Sequence, residues 1–138
     1  MKPYLLDSGF LYGFIDEADE YHESVSAILA KIREPIILPI PAITEITYFV
    51  SKNLGIEALA NFLDELSETD FILETPTAED YKRAAEIIRK YDDANIDFVD
   101  AVIVAIAERL NITKILTVDR RHFGIFKPNH CETFEIFP

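Results

Sequence analysis

The sequence predicts an α/β fold with three layers, in which a central parallel sheet of four to five strands lies between helices. Two patterns carry the prediction. Short apolar segments alternate along the chain with longer ones whose apolar residues recur every three or four positions, as on one face of a helix. Residues 97–110 are apolar almost all round, which is typical of a helix buried on most of its circumference. Parallel strands need crossover helices, which then cover the sheet.

In the first half of the chain, prolines and a glycine separate the predicted elements. Pro35 ends a helix whose apolar positions, from Val25 to Ile32, follow the spacing i, i+3, i+4 and i+7. Pro41 suits the first turn of the next long helix, and Gly55 ends it. The predicted elements are strands at 3–6 and 36–38 and helices at 10–15, 21–33, 41–53 and 56–66.

In the second half, capping residues mark where helices begin and end. Thr77 and Asp80 have the spacing of a capping box, so we expect a helix from there to residue 91. Asn111 ends the buried helix, and a strand-favouring segment follows it. The remaining predicted elements are strands at 71–73, 114–118 and 134–137 and a turn at 119–123.

Length and composition limit the classes of protein to which the chain can belong. With 138 residues, of which 49% are apolar, it can form a packed core, and we expect a single domain over residues 1–138. No apolar stretch approaches the ~20 residues of a membrane span, and none resembles a secretory signal, so we expect a cytoplasmic protein that makes no membrane contact. Cys131 is the only cysteine, which excludes an internal disulfide.

The net charge is −12, with 25 acidic against 13 basic residues. This balance disfavours broad affinity for nucleic acid, because neutralising phosphates needs clustered Lys and Arg, so any contact with nucleic acid must be local. Most of the acids suit a solvated surface, but a few lie in apolar surroundings. Asp7 and Asp119 directly follow predicted strands, where open α/β sheets bind ligands. Glu45 and Asp100 lie near the starts of apolar helices, and Asp97 is one turn before Asp100 on the same side.

These acids have no regular set of basic partners, so a divalent cation is the simplest source of compensating charge. Ligands that are all oxygen favour Mg²⁺ or Mn²⁺. Zinc is disfavoured, because His22, His122 and His130 follow no ligand spacing. One or two hard ions would activate water and stabilise the charge that grows on a phosphodiester during in-line displacement, which is the chemistry of a nuclease.

Each acid also has an ordinary structural explanation. Helix capping, the helix dipole or a turn accounts for the charge of each one taken alone: Asp7, Glu45, Asp97, Asp100 and Asp119. For Asp97 the capping explanation is the stronger one. Two neutral residues are accessory candidates, because Ser8 and Thr117 each stand close in sequence to one of these acids and could hydrogen-bond the metal shell.

Four short motifs hold the acids: Leu5-Leu6-Asp7-Ser8, Ile43-Thr44-Glu45-Ile46, Asp97-Phe98-Val99-Asp100-Ala101 and Leu116-Thr117-Val118-Asp119. In this order and at these spacings they resemble the PIN domain, and more narrowly the VapC toxins of bacterial and archaeal toxin–antitoxin pairs. No motif is specific by itself, but the match extends from Tyr4 to Phe137. The pair Ser8-Gly9 is a departure, since relatives commonly have Thr or Ser followed by a small or polar residue.

The resemblance implies a Mg²⁺- or Mn²⁺-dependent endoribonuclease whose acidic pocket consists of Asp7, Glu45, Asp100 and Asp119, with Asp97 as an accessory acid. It also implies a homodimer and a cognate antitoxin whose C-terminal segment wraps the toxin. Because the net charge is negative, the RNA substrate must approach along a local positive rim. The candidates for that rim are Arg120, Arg121, His122 and Lys127, with Lys52 and Lys114 as outer ones. Pairing with neighbouring acids explains Arg120 and Arg121 equally well.

Two alternative functions remain open at this point. A phospho-accepting signalling domain also gathers aspartates and Mg²⁺ at strand ends, but its first strand would end in two acids, and a lysine would follow its last well-formed strand. A noncatalytic PIN-like binding module is the second alternative, although such a module would be expected to lack at least one acid of the pocket.

Overall fold

Residues 2–138 are described by a computed structural model of the chain. Within this range there are five strands and seven helices, none of which has the length and apolar character needed to cross a membrane. Their bounds are β1 Tyr4–Leu6, α1 Ser8–Ile15, α2 His22–Lys31, β2 Ile36–Pro39, α3 Ile40–Leu54, α4 Ile56–Ser67, β3 Ile72–Glu74, α5 Ala78–Lys90, α6 Phe98–Leu110, β4 Lys114–Leu116, α7 Arg120–Ile125 and β5 Glu135–Phe137.

The described strands form a sheet in the order β3-β2-β1-β4-β5, and every neighbouring pair is parallel. In its middle, Leu5 pairs with Ile37 on one side and with Ile115 on the other. Helices flank the sheet, which confirms the predicted α/β class. The chain adds β2 and β3 on one side of β1, then β4 and β5 on the other. A reversal of this kind leaves a crevice at the carboxyl ends of the two strands where it occurs, here β1 and β4.

The core is built around α6, as the sequence predicts. Every residue from Val99 to Ala107 is buried, and β1 contributes the fully buried Leu5 and Leu6. A helix surrounded by apolar side chains in this way can accommodate polar side chains at few positions. The N-terminus of α6 is one of them, since its first main-chain N–H groups have no partners within the helix and can bind polar side chains.

The structure differs from the prediction after β4. That strand ends at Leu116 rather than at residue 118, and the predicted turn at 119–123 is mostly the first part of α7. The side chain of Thr117 explains the early end of the strand. The Thr117 N–H still donates to the Phe137 oxygen at 2.9 Å, but its hydroxyl then accepts from the Asp119 N–H at 3.0 Å, which turns the chain out of the sheet. Asp119 therefore stands two residues beyond Thr117 as a helix cap, and does not directly follow a strand.

Candidate metal centre

A cleft with acidic walls opens at the carboxyl ends of β1 and β4, where the strand order reverses. Its volume is about 230 Å³. Side chains that are far apart in sequence meet in it, because α1, α3, α6 and α7 all contribute to its wall. The residues that line this acidic cleft are Asp7, Ser8, Gly9, Glu45, Phe49, Asp97, Asp100, Val118, Asp119 and His122. The five acids singled out in the sequence are among them.

Asp7 is the most buried of these acids, with 5% of its surface exposed. Its Oδ1 accepts a hydrogen bond from the main-chain N–H of Ser8 at 2.8 Å, and its Oδ2 accepts one from the hydroxyl of Thr117 at 2.7 Å. Asp7 is also the N-cap of α1. Its capping role and its place in the cleft are therefore compatible, and the two donors fix both oxygens of the carboxylate.

Ser8 links two acids that come from different elements. Its hydroxyl makes a short contact with Oε1 of Glu45, which is on α3, and lies 3.5 Å from Oδ1 of Asp7. Close packing explains why the next residue, Gly9, is small: a Cβ on Gly9 would lie 3.0 Å from Cγ2 of Val118. Glycine thus lets α1 approach the segment after β4, and the Ser8-Gly9 pair leaves the arrangement of the acids intact.

Asp97 and Asp100 form a capping box at the start of α6. Asp97 Oδ1 accepts from the Asp100 N–H at 2.9 Å, and Asp100 Oδ2 accepts from the Asp97 N–H at 3.4 Å. Capping accounts well for Asp97, whose side chain is exposed. For Asp100, whose side chain is only 10% exposed, the capping hydrogen bond explains the position of one carboxylate oxygen and not of the other.

Asp119 and His122 reach the cleft from the first turn of α7. Asp119 Oδ1 accepts from the His122 N–H at 3.0 Å. The ring of His122 turns toward the acids, with Nδ1 2.9 Å from Asp119 Oδ2 and 3.2 Å from Asp100 Oδ2. Among the described residues, Asp100, Asp119 and His122 form a group whose possible ligand atoms all lie within 4.8 Å of one another. A divalent cation is compatible with this donor set.

His122 lines the acidic cleft beside Asp119 and Asp100, although the sequence predicts it as a rim residue and indicates no ligand spacing for a histidine. Its spacing of three residues from Asp119 suits two ligands once Asp119 caps the helix whose first turn contains His122. The signal was in the sequence, but interpreting residues 119–123 as a turn concealed it.

Burial raises the pKa of two of the acids. The pKa of Asp7 rises from 3.8 to about 6, mainly by burial and further by the charges of Glu45 and Asp119. The pKa of Asp100 rises to about 8, first by burial and then by repulsion from Asp97, Asp7 and Asp119. These shifts indicate that the cleft lacks compensating positive charge.

Asp80 on α5 is a contrasting case in the same protein, because this buried acid is paired with an arginine. It is also buried, but Arg109 donates to it from Nε at 3.0 Å and from Nη2 at 2.9 Å. Although burial acts to raise its pKa, the hydrogen bonds from Arg109 and from the Thr77 N–H lower the pKa overall. The acids of the cleft have no such arginine among the residues that line it.

The basic residues predicted to form an RNA rim have different surroundings. Arg120 is held by the main chain, because its Nη2 donates to the oxygens of Ile136, at 3.0 Å, and of Pro138. Arg121 is exposed on the first turn of α7. Lys52 is exposed on α3, the helix that carries Glu45, and its Nζ lies 5.7 Å from the centroid of the Tyr48 ring.

Two further candidates for the rim lie in loops or at strand starts. The Lys127 N–H donates to the hydroxyl of Tyr91 at 2.9 Å, which ties the segment after α7 to the end of α5, and its side chain is exposed. Lys114 is the first residue of β4, and its Nζ lies 5.1 Å from the centroid of the Tyr4 ring at the start of β1. The amino ends of parallel strands face away from the cleft, so the prediction that Lys114 is an outer rim residue is wrong.

Comparison with known proteins relates this arrangement to one family. The family model described as PIN domain matches residues 4–125. Ribonuclease VapC26 of Mycobacterium tuberculosis is 30% identical over 134 residues, which are 97% of this chain and 99% of that protein.

Solved structures have the same fold. Mycobacterium tuberculosis VapC20, described as a sarcin-ricin loop cleaving toxin, superposes with a TM-score of 0.85 over 98% of this chain and 99% of its own, at 18% identity. A toxin–antitoxin complex from Klebsiella pneumoniae gives 0.69 over 89% of this chain and 92% of its own, at 15% identity.

The raised pKa values predict how stability depends on pH in metal-free protein. A carboxyl whose pKa is higher in the folded chain binds its proton more tightly there, so the free energy of unfolding falls as pH rises between the unfolded and folded values. For Asp7 that window runs from 3.8 to about 6, and for Asp100 it extends to about 8. We expect Asp7→Asn to raise the free energy of unfolding at pH 8 by up to about 3 kcal/mol, and Asp100→Asn to raise it as well.

The measurement is urea unfolding in a chelator at pH 4 and at pH 8. Asp64→Asn removes one negative charge from an exposed position on α4 and serves as the control. A gain for Asp7→Asn that is the same at both pH values, or no larger than that of Asp64→Asn, contradicts the prediction.

Proposed function

Because the chain belongs to the PIN domain family, we propose that it is a divalent-metal-dependent endoribonuclease, the toxin of a toxin–antitoxin pair, and that it acts in the cytoplasm. The name of its Mycobacterium tuberculosis relative, a ribonuclease that aligns with nearly the whole chain, supports the activity. The order and spacing of the acidic motifs support the same function.

The convergence of Asp7, Glu45, Asp100 and Asp119 in one cleft is the observation that carries the proposal. Packing like charges together lowers stability, and the raised pKa values of Asp7 and Asp100 are a sign of that cost. A fold keeps such a cluster where a function requires it, so strongly perturbed carboxyls in a cleft are candidates for catalysis.

The donors in the cleft fit a divalent cation. The carboxylates of Asp7, Glu45, Asp100 and Asp119 would hold it, and the exposed Asp97 would assist. Oxygen ligands favour Mg²⁺ or Mn²⁺, and such sites keep several waters. When bound, the ion supplies positive charge that stabilises the transition state of phosphodiester cleavage and makes water a stronger acid.

Ser8 and Thr117 act as positioning residues in this proposal. Thr117 holds one oxygen of Asp7, and Ser8 contacts Glu45, so the separation between these carboxylates is set before a cation binds. Ligands fixed in this way lose little conformational freedom on binding, which favours affinity.

Removing either of two acids should abolish cleavage. We expect Asp7→Asn and Asp100→Asn each to lower the rate of RNA cleavage by more than about 100-fold, since each removes a charged ligand, whereas outer-shell partners alone account for 10–100-fold. The measurement is cleavage of labelled single-stranded RNA with Mg²⁺ or Mn²⁺ present, with circular dichroism to show that the fold is retained. A chelator should stop cleavage by the wild type, and either ion should restore it.

Asp64→Asn, far from these motifs on α4, should cleave RNA like the wild type. Metal-dependent RNA cleavage that persists in both Asp7→Asn and Asp100→Asn would contradict the assignment of the acidic cleft as the nuclease site. A wild-type protein that binds the metal but cleaves no RNA would instead be a noncatalytic binding module. An acid-labile mass increase after incubation with a small phosphodonor would favour the phospho-accepting alternative.

We propose that exposed basic residues near the cleft guide the RNA backbone, because the rest of the surface is strongly acidic. Arg121 lies two residues from Asp119, and Lys52 lies two helical turns beyond Glu45, about 10 Å along α3. Lys127 is a third candidate, while the guanidinium of Arg120 already binds the main chain of the C-terminal segment.

The double variant Lys52→Gln/Arg121→Gln tests this rim. We expect KM for RNA to rise several-fold with little change in kcat, and the salt dependence of RNA binding to become weaker by about one unit of slope per lost phosphate contact. Arg89→Gln, an exposed charge change on α5, is the matched control. Equal KM values for the double variant, the control and the wild type would show that RNA takes another path.

We further propose two protein partners, a cognate antitoxin and a second copy of this chain. An apolar groove of about 190 Å³ between α1 and α4 suits an apolar segment of the antitoxin. It is lined by Leu11, Phe14, Ile15, Phe62, Glu65, Leu66, Thr69 and Phe71. Basic residues elsewhere in the antitoxin would complement the net charge of −12. The Klebsiella pneumoniae structure, a toxin–antitoxin complex with this fold, supports the first partner.

Co-expression with the product of the neighbouring reading frame tests both partners. We expect Phe14→Glu to weaken the complex at least tenfold, because it places a charge in the apolar groove. Leu63→Glu is the control, since Leu63 is equally exposed on α4 but does not line the groove. Light scattering gives the masses, and the toxin alone should have twice the 15.8 kDa of the chain. Equal effects of the two variants, or a monomeric toxin, would contradict the corresponding part of the proposal.

A further inference from the structure

We propose that Nδ1 of His122 is a nitrogen ligand in the metal centre and that it makes the site prefer Mn²⁺ to Mg²⁺. This inference rests on the proposed function, in which the acidic cleft holds a divalent cation. It adds a residue of a different chemical class to the set of acids, and it turns the open choice between the two ions into a specific preference.

The placement of His122 is fixed by the start of α7. Its main-chain N–H is bound by Oδ1 of Asp119, so the backbone of the first turn is anchored to the same acid that its ring faces. From there Nδ1 lies within 3.2 Å of oxygens from two acids, Asp119 on its own helix and Asp100 on α6. The nitrogen therefore joins the two elements across the cleft.

The nitrogen is buried but has no hydrogen-bond partner among the described residues. Oxygens of Asp119 and Asp100 are close, yet neither contact has the geometry of a hydrogen bond from this nitrogen. A histidine that simply pairs with a carboxylate points its N–H at one oxygen. A buried Nδ1 that lies between two acids and makes a hydrogen bond to neither has instead the arrangement of a ligand that converges with them on a common ion.

The separations between donor atoms suit a single cation. Neighbouring ligands of an octahedral ion, with bonds of about 2.1 Å, lie about 3 Å apart. Nδ1 is 2.9 Å from one carboxylate oxygen and 3.2 Å from the other. Both distances from the nitrogen thus match those within a coordination sphere, and the possible ligand atoms of the three residues all lie within 4.8 Å of one another.

The other two histidines lie outside any such group among the described residues, although Nδ1 of His130 is also buried without a hydrogen-bond partner. His22 Nδ1 lies 2.9 Å from the carbonyl oxygen of Gly13, and His130 Nε2 lies 2.7 Å from that of Ile112. In each of them, one ring nitrogen is thus within hydrogen-bond distance of a main-chain carbonyl. His22 and His130 are therefore suitable controls for any effect of losing an imidazole.

Nitrogen in the donor set changes which ion is favoured. Mg²⁺ is a hard cation that takes oxygen ligands and gives up its waters reluctantly, so an imidazole adds little to its binding. Mn²⁺ also prefers carboxylates and water, but as a first-row transition ion it accepts a nitrogen donor into a mostly oxygen coordination sphere more readily than Mg²⁺ does. The preference should thus depend on His122, whereas the ability to bind a divalent cation should depend on the acids.

The decisive experiment is pulsed electron paramagnetic resonance of the Mn²⁺-loaded protein. We expect a ¹⁴N coupling from a coordinated imidazole in the wild type and in His22→Ala, and its loss in His122→Ala. Titrations should show that His122→Ala weakens Mn²⁺ binding about tenfold or more while Mg²⁺ binding changes less than about twofold. His122→Gln, which keeps a polar side chain of similar length, should behave as His122→Ala does and guards against an effect of misfolding.

A wild-type protein that binds Mn²⁺ without a ¹⁴N coupling overturns the inference, as does an unchanged preference for Mn²⁺ in both His122 variants. In either case the loss of RNA cleavage in Asp100→Asn would still support the proposed nuclease. Failure of the wild type to bind either ion would instead remove the metal centre and with it both proposals.

Discussion

Repulsion among carboxylates held in one cleft is the constraint on which the rest of this structure depends. Asp7 and Asp100 are buried within a group of like charges, and their pKa values rise accordingly. The fold does not relieve that repulsion with arginine, as it does for Asp80 on α5, which Arg109 in the last turn of α6 contacts. It instead fixes the acids with hydroxyl and main-chain donors, which orient the oxygens and leave the net negative charge for a cation to compensate.

Helix starts make this arrangement possible. Asp7, Asp97 and Asp119 are the N-caps of α1, α6 and α7, and each of these helices begins at the cleft. A helix N-terminus carries partial positive charge and unpaired N–H groups, so it stabilises an acid that would be costly elsewhere. Capping and the proposed metal binding are therefore two uses of the same carboxylates, and the structural explanation of each acid does not compete with the functional one.

Because the surface is strongly negative, a bound cation would also affect how RNA approaches the cleft. An RNA phosphate meets repulsion from most directions, since the chain carries a net charge of −12. Bound metal would offset much of the negative charge inside the cleft, so repulsion of the substrate would be weakest at the place where cleavage occurs. The same logic suits a basic antitoxin, whose positive side chains would find complementary charge over a wide area.

The sequence by itself determined the order of the strands and of α1 to α6, the buried character of α6 and the acids that line the cleft, because hydrophobic periodicity and charge in apolar surroundings are local signals. Helix α7 was not predicted, since residues 119–125 are short and mixed in character and depend on the cap that Asp119 supplies. The tertiary structure alone decided that His122 faces Asp100 and that Lys114 lies at the amino ends of the strands, away from the cleft. Both depend on how β4 and α7 pack against β1 and α6, and contacts between elements distant along the chain leave no periodic trace in its residues.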